Sequence, residues 1–103
     1  MVNVIIYLNQ NEFAENLAKD LVGSGLAAGA SIDVNNSHFV KEGDQVIKTV
    51  HTVITLQSKA LLFNKIVTFV EDFVGEEVPI YSVPITQTDE RFHQIIRERT
   101  IKI

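Results

Sequence analysis

Three histidines and thirteen carboxylates are the side chains of this 103-residue chain best suited to chemistry near neutral pH. His38 and His51 flank the polar run Lys41-Glu42-Gly43-Asp44, which reads as a tight turn. If the turn centres on Glu42-Gly43, Lys41 faces Asp44 and His38 faces Ile47. Ile47 and His51 share a strand face, so both imidazoles point the same way, offset by four residues or about 13 Å. A metal ion bound at about 2 Å cannot bridge that gap within one chain. His38 and His51 are therefore expected to share a metal only across subunits, and otherwise to be part-buried or interface histidines. His93 lies in a charged C-terminal stretch and reads as solvent-facing.

Asp33, Glu42, Asp44 and the pair Glu76-Glu77 are the candidates for a hard cation. Glu42 and Asp44 flank a turn glycine, and Glu76-Glu77 follow a helix-ending glycine, so each reads first as a solvated loop residue. No Asp-x-Asp-x-Asp-Gly loop and no His-Glu-x-x-His helix is present. Gly23-Ser24-Gly25-Leu26-Ala27-Ala28 matches G-x-G-x-x-A in form. It leaves a helix and enters a strand, the reverse of a dinucleotide fingerprint, and reads as a helix terminus. Ser37 beside His38 is no catalytic pair, because adjacent strand residues point to opposite faces. There is no nucleophile elbow and no P-loop. The absence of cysteine excludes disulfides, thiolate metal sites and a cysteine nucleophile.

Composition narrows the class. Apolar residues make up 46% and charged residues 21%, a globular balance that fits one domain over residues 1–103. The net charge of −4 argues against nucleic acid, whose phosphates need clustered Lys and Arg. Only Arg91, Arg97 and Arg99 sit close together. No run approaches a membrane span, and Met1 to Gln10 lacks the features of a signal peptide. Asn35-Asn36-Ser37 matches a glycosylation sequon, taken here as chance. A cytoplasmic protein is expected.

The positioning elements follow from hydrophobic spacing. Val2 to Leu8 is a nearly continuous apolar strand, read as central and buried on both faces. Asn9, with Glu12 bonding back, is expected to cap a helix carrying Phe13, Ala14, Leu17, Ala18, Leu21 and Val22 on one stripe. Gly23 and Gly25 end it in left-handed conformations. Leu26 to Val40 and Gln45 to Gln57 read as the arms of a hairpin. Ser58 is expected to cap a second helix with Leu62, Ile66, Phe69, Val70 and Phe73 on one face, closed by Gly75. Val78 to Ile85 carries Pro79 and Pro84 and must be an edge strand. Thr88 is expected to cap a third helix with Phe92, Ile95 and Ile96 on its apolar side, and Thr100 to Ile103 to form a last short strand.

The order βαββαβ plus a C-terminal helix gives an α+β fold: an antiparallel sheet with the helices on one face and the second and fourth strands at the edges. Ile5-Ile6 and Val53-Ile54 then place apolar residues on both faces of the sheet. Something must cover the second face, and self-association is the economical answer.

Glu12-Phe13-Ala14, Leu17-Ala18, Leu21-Val22 and Leu26-Ala27-Ala28-Gly29-Ala30 together resemble the CutA family of divalent-cation tolerance proteins, in which such a helix runs into a Leu-Ala-Ala-Cys-Val strand start. Ser37-His38-Phe39-Val40-Lys41-Glu42-Gly43 stands where that family has a Ser-x-Tyr-x-Trp-x-Gly hairpin. Val53 to Ser58 and Val78 to Ile85, ending at Pro84, resemble two further family segments. The resemblance implies a ferredoxin-like protomer, a homotrimer whose sheets pack around the three-fold axis, PII-like kinship, and a non-enzymatic part in divalent-cation (copper) tolerance. It also implies clefts between subunits, for which Phe39, Lys41, His51, Tyr81 and Arg91 are candidate lining residues. The family cysteine is Gly29 here, the hairpin Trp is Lys41 and the Tyr is Phe39. Lys48 replaces an acidic residue, and Pro79 occupies the register of the family's Glu. A divalent cation, copper or zinc, is the cofactor to test.

Two alternatives remain at this point. One is a PII-like regulatory module that binds a small ligand and meets an unidentified protein partner through the hairpin tip. The other is an enzyme on a dimeric ferredoxin-like barrel with His51 or His38 as general base.

Overall fold

The computed structural model describes residues 1–9 and 12–102. The elements run β1 (Val2–Leu8), α1 (Ala14–Gly23), β2 (Gly29–Glu42), β3 (Gln45–Ser58), α2 (Phe63–Val74), β4 (Ile80–Pro84) and α3 (Glu90–Arg99). A single 3-10 turn, Ala60–Leu62, leads into α2. The strands form one antiparallel sheet in the order β2-β3-β1-β4, with β2 and β4 at the edges, the latter as Pro84 requires.

Period-two alternation sorts β1 cleanly. Val2, Val4, Ile6 and Leu8 are buried, while Asn3, Ile5 and Tyr7 are half-buried. The buried set meets Ile54 and Leu56 of β3 in one core with Ala14, Leu17 and Leu21 of α1 and Leu62, Ile66 and Val70 of the second helical segment. β1 is thus fully buried on its helix side and half-covered on the other, rather than buried on both. The helix side holds the stability. A fully buried Leu or Ile contributes about 1.5–3 kcal/mol relative to an exposed one, and Ile6, Leu17, Leu21, Ile54, Leu56, Leu62 and Ile66 are all fully buried.

Several local expectations change. α1 begins at Ala14 with no side-chain cap, so Asn9, five positions earlier, is not its cap. The intervening Gln10 and Asn11 lie outside the described residues. Gly25 has φ +78, but Gly23 is right-handed. Ser58 ends β3 instead of capping α2, and its hydroxyl donates to the Leu26 carbonyl at 2.6 Å. Leu26 to Ala28 are buried ahead of β2, which starts at Gly29. Asp89, not Thr88, caps α3 by accepting from the Phe92 amide at 2.7 Å. Thr100 to Lys102 form no strand; the Ile101 amide instead donates to the Gly25 carbonyl at 2.8 Å.

The β2–β3 hairpin outgrows the sheet. β1 pairs only with the 52–58 half of β3, so residues from Asn36 to His51 run on without a third strand. At about 3.3 Å per residue a strand of this length matches the longest dimension of the chain, which is 46 Å. Val34, Phe39, Val46 and Val50 stand exposed along it.

Candidate functional site

The hairpin turn sets where its side chains fall. Glu42 pairs with Gln45, which leaves Gly43-Asp44 as a two-residue loop. Gly43 has φ +60 and Asp44 does not share that conformation. A left-handed first position followed by an ordinary second one is the II′ hairpin turn, which calls for glycine first. Centring the turn on Glu42-Gly43, as the sequence alone suggests, misplaces the register by one residue on each arm. His38 therefore pairs with Thr49, not Ile47. The offset between His38 and His51 falls from four residues to two, which makes them diagonal neighbours.

A second irregularity fixes the face. Asp33 pairs with Val53 and Asn36 with His51, so Val34 and Asn35 together oppose one residue of β3. This is a β-bulge, and Asn35 takes the left-handed conformation at φ 58. The extra residue shifts the alternation of β2 beyond it. His38 consequently faces the same side as His51, Val53 and Tyr7, away from the α1–α2 core.

Each strand contributes one ring to that open face: Tyr7 from β1, His38 from β2, His51 from β3 and Tyr81 from β4. Tyr7, His38 and His51 form a triangle with every pair of ring centroids 5.6 Å apart. Tyr81 stacks on Tyr7 at 6.2 Å with the planes inclined by 24°. His51 is half-buried and His38 exposed. The His51 Nε2 lies 2.9 Å from the Thr49 hydroxyl, while its Nδ1 is buried with no hydrogen-bond partner. Hydrogen bonding with Tyr81 holds the Tyr7 phenol above its ordinary pKa, and burial and the charge a Tyr81 phenolate would carry push the same way.

The other candidates are not gathered with these rings. Phe39 and Lys41 alternate with His38 and face the opposite side of the hairpin; Phe39 is 62% exposed. Arg91 lies exposed in the first turn of α3. Of Phe39, Lys41, Tyr81 and Arg91, only Tyr81 joins this face, where it stacks on Tyr7. His93 is exposed, as expected, beside a groove formed with Met1, Ile85 and residues 86–89. Glu76 and Glu77 line a cavity of about 320 Å³ with Tyr7, Phe13 and Pro79. Among the described residues no group of three or more His, Cys, Asp or Glu side chains stands ready to hold a metal ion. Tyr7 and Thr49 escape a reading of the sequence, although their positions on alternate residues of β1 and β3 would have placed both on the open face.

The fold and site together define a ferredoxin-like domain with an overlong hairpin and an uncovered, ring-bearing sheet face. The profile of the CutA1 divalent ion tolerance protein family matches residues 2–99. The chain belongs to that family. The divalent cation tolerance protein (Cut A1) from Thermus thermophilus superposes with a TM-score of 0.84 at 22% identity, covering 97% of this chain and 99% of that one. CutA1 from Pyrococcus horikoshii gives 0.84 at 16%, covering 99% and 100%. The periplasmic divalent cation tolerance protein CutA from Archaeoglobus fulgidus gives 0.81 at 23%, covering 96% and 98%. No curated protein matches the chain. Among the described residues no helix is long and apolar enough to cross a membrane.

Proposed function

We propose that this protein is a cytoplasmic homotrimer that acts in tolerance of divalent cations, copper foremost, by binding an ion or small ligand, without catalysis. The observation that carries the reading is the hairpin. A two-stranded ribbon alone in water is marginally stable, yet this one extends beyond β1 with Phe39, Val46 and Val50 on one side and Val40 and Ile47 on the other. Partner protomers would cover both sides and the open sheet face. That packing would also bring Phe39, Lys41, Tyr81 and Arg91 of different protomers toward common clefts, and leave His38 and His51 as metal ligands there. Family membership supports the cation role, and imidazole donors favour copper or zinc over magnesium or calcium.

Native mass spectrometry of metal-stripped protein, alone and after addition of copper, tests this. The expected result is a species of three 11.5 kDa chains that takes up a fixed number of ions per protomer. A monomer or dimer at micromolar concentration contradicts the reading. A bare trimer removes the ion and leaves a small ligand as the cargo.

A further inference from the structure

We infer that His38 and His51 form a two-histidine site for a copper or zinc ion within one protomer, His51 binding through Nδ1. The inference deepens the cation reading above and rests on it only for the class of ligand.

The geometry comes first. Two imidazoles on one ion through bonds of about 2 Å bring their ring centroids roughly 5 to 6 Å apart at tetrahedral to trigonal angles. The observed separation is 5.6 Å, with the rings inclined by 74°. The two-residue diagonal offset and the Asn35 bulge produce this proximity inside a single chain.

Hydrogen bonding then selects the nitrogen. A threonine hydroxyl has one hydrogen to give and two lone pairs to receive with. The Thr49 hydroxyl donates to the His38 carbonyl, which can only accept, at 3.3 Å. Its oxygen is therefore the acceptor for His51 Nε2–H at 2.9 Å. That assigns the His51 proton to Nε2 and leaves a lone pair on Nδ1. Reversing the tautomer would bury an N–H donor without a partner and forfeit the bond to the carbonyl. A histidine that donates one ring N–H to a fixed acceptor and presents the other nitrogen bare is arranged as metal-bound histidines are. The bare Nδ1 is buried and unpartnered, a cost that an ion would remove. Tyr7 and Tyr81 wall the site on the side of β1 and β4. Two neutral nitrogen donors suit copper or zinc and offer nothing to magnesium or calcium. Water or a partner protomer would complete the coordination.

The test is calorimetric titration of metal-stripped protein with copper and with zinc, alongside copper paramagnetic resonance, with the chain mass read under the same conditions. The site predicts one ion per protomer and a spectrum showing two coordinated nitrogens. His38→Ala, which alters an exposed side chain, should leave the fold intact and weaken binding by at least about 100-fold. Thr49→Val should weaken it by about 10-fold, through loss of the bond that sets the tautomer. His93→Ala should change nothing. Binding unaffected by His38→Ala, or one ion per trimer, overturns the site while the cation reading stands. A trimer that takes up no ion overturns the site and leaves the small-ligand form of that reading. His38-dependent uptake by a monomer supports the site and overturns the trimer.

Discussion

A single left-handed residue, Asn35, separates the base of the hairpin from the histidines near its middle. Asparagine tolerates this conformation better than most residues, and a β-branched side chain tolerates it poorly. Asn35→Val should cost about 1–2 kcal/mol of protomer stability in urea unfolding, and Asn35→Gly should stay near wild type. The left-handed backbone thus gives a structural reason for asparagine at position 35. Tyr7 gives a second test at this scale. Its phenol is raised in the folded state by its hydrogen-bonding neighbour Tyr81 and by burial. The folded protein therefore holds the Tyr7 proton more tightly than the unfolded chain does. The associated stability is fully present below the unfolded tyrosine pKa of about 10 and is lost as pH rises through the higher folded value. Thermal melts should be insensitive to this group near neutrality and fall above that pH, and Tyr81→Phe should shrink the fall.

At the scale of elements, the strands and helices that build the core were legible from spacing. The stripe Ala14, Leu17, Ala18, Leu21 and the run Leu62, Ile66, Val70 are buried as periodicity requires. The terminal residues were not. Ser58 and Thr88 both match a capping signal, but Ser58 is held in β3 by the Leu26 carbonyl and Asp89 outcompetes its neighbour with a charged acceptor. The hairpin register turned on one residue, because the sequence Glu-Gly-Asp allows two centrings and only the left-handed Gly43 decides between them. That one residue separated an expected gap of about 13 Å from ring centroids 5.6 Å apart, so the candidate site was half legible: His38, His51 and Tyr81 were named, while Tyr7, Thr49 and the proximity of the rings were missed. The glycines yield a comparative prediction. Gly25 and Gly43 are both left-handed, so an alanine at either costs about 1–2 kcal/mol in backbone strain. At Gly25 the new Cβ would also stand 2.8 Å from Ile101 Cγ2, whereas at Gly43 nothing lies within 4 Å. Chemical unfolding should therefore rank Gly25→Ala clearly below Gly43→Ala in stability.

For the whole molecule, what matters is what covers the surfaces that the single chain leaves open. Val46 is 70% and Val50 51% exposed on the same side of a ribbon that has no third strand. If other protomers bury that side, Val46→Lys combined with Val50→Lys should dissociate the assembly by light scattering, while helical circular dichroism persists. The core that α1 and α2 make with β1 and β3 involves neither residue. Under the trimer proposed above, partner protomers hold the hairpin. Hydrogen exchange of the hairpin amides between Asn36 and His51 at neutral pH tests it most directly, since an unsupported ribbon opens easily and a packed one does not. Slow exchange is expected there, approaching that of β1, with protection lost in the Val46→Lys/Val50→Lys variant. Fast exchange in the wild-type protein, like that of an exposed loop, would contradict it.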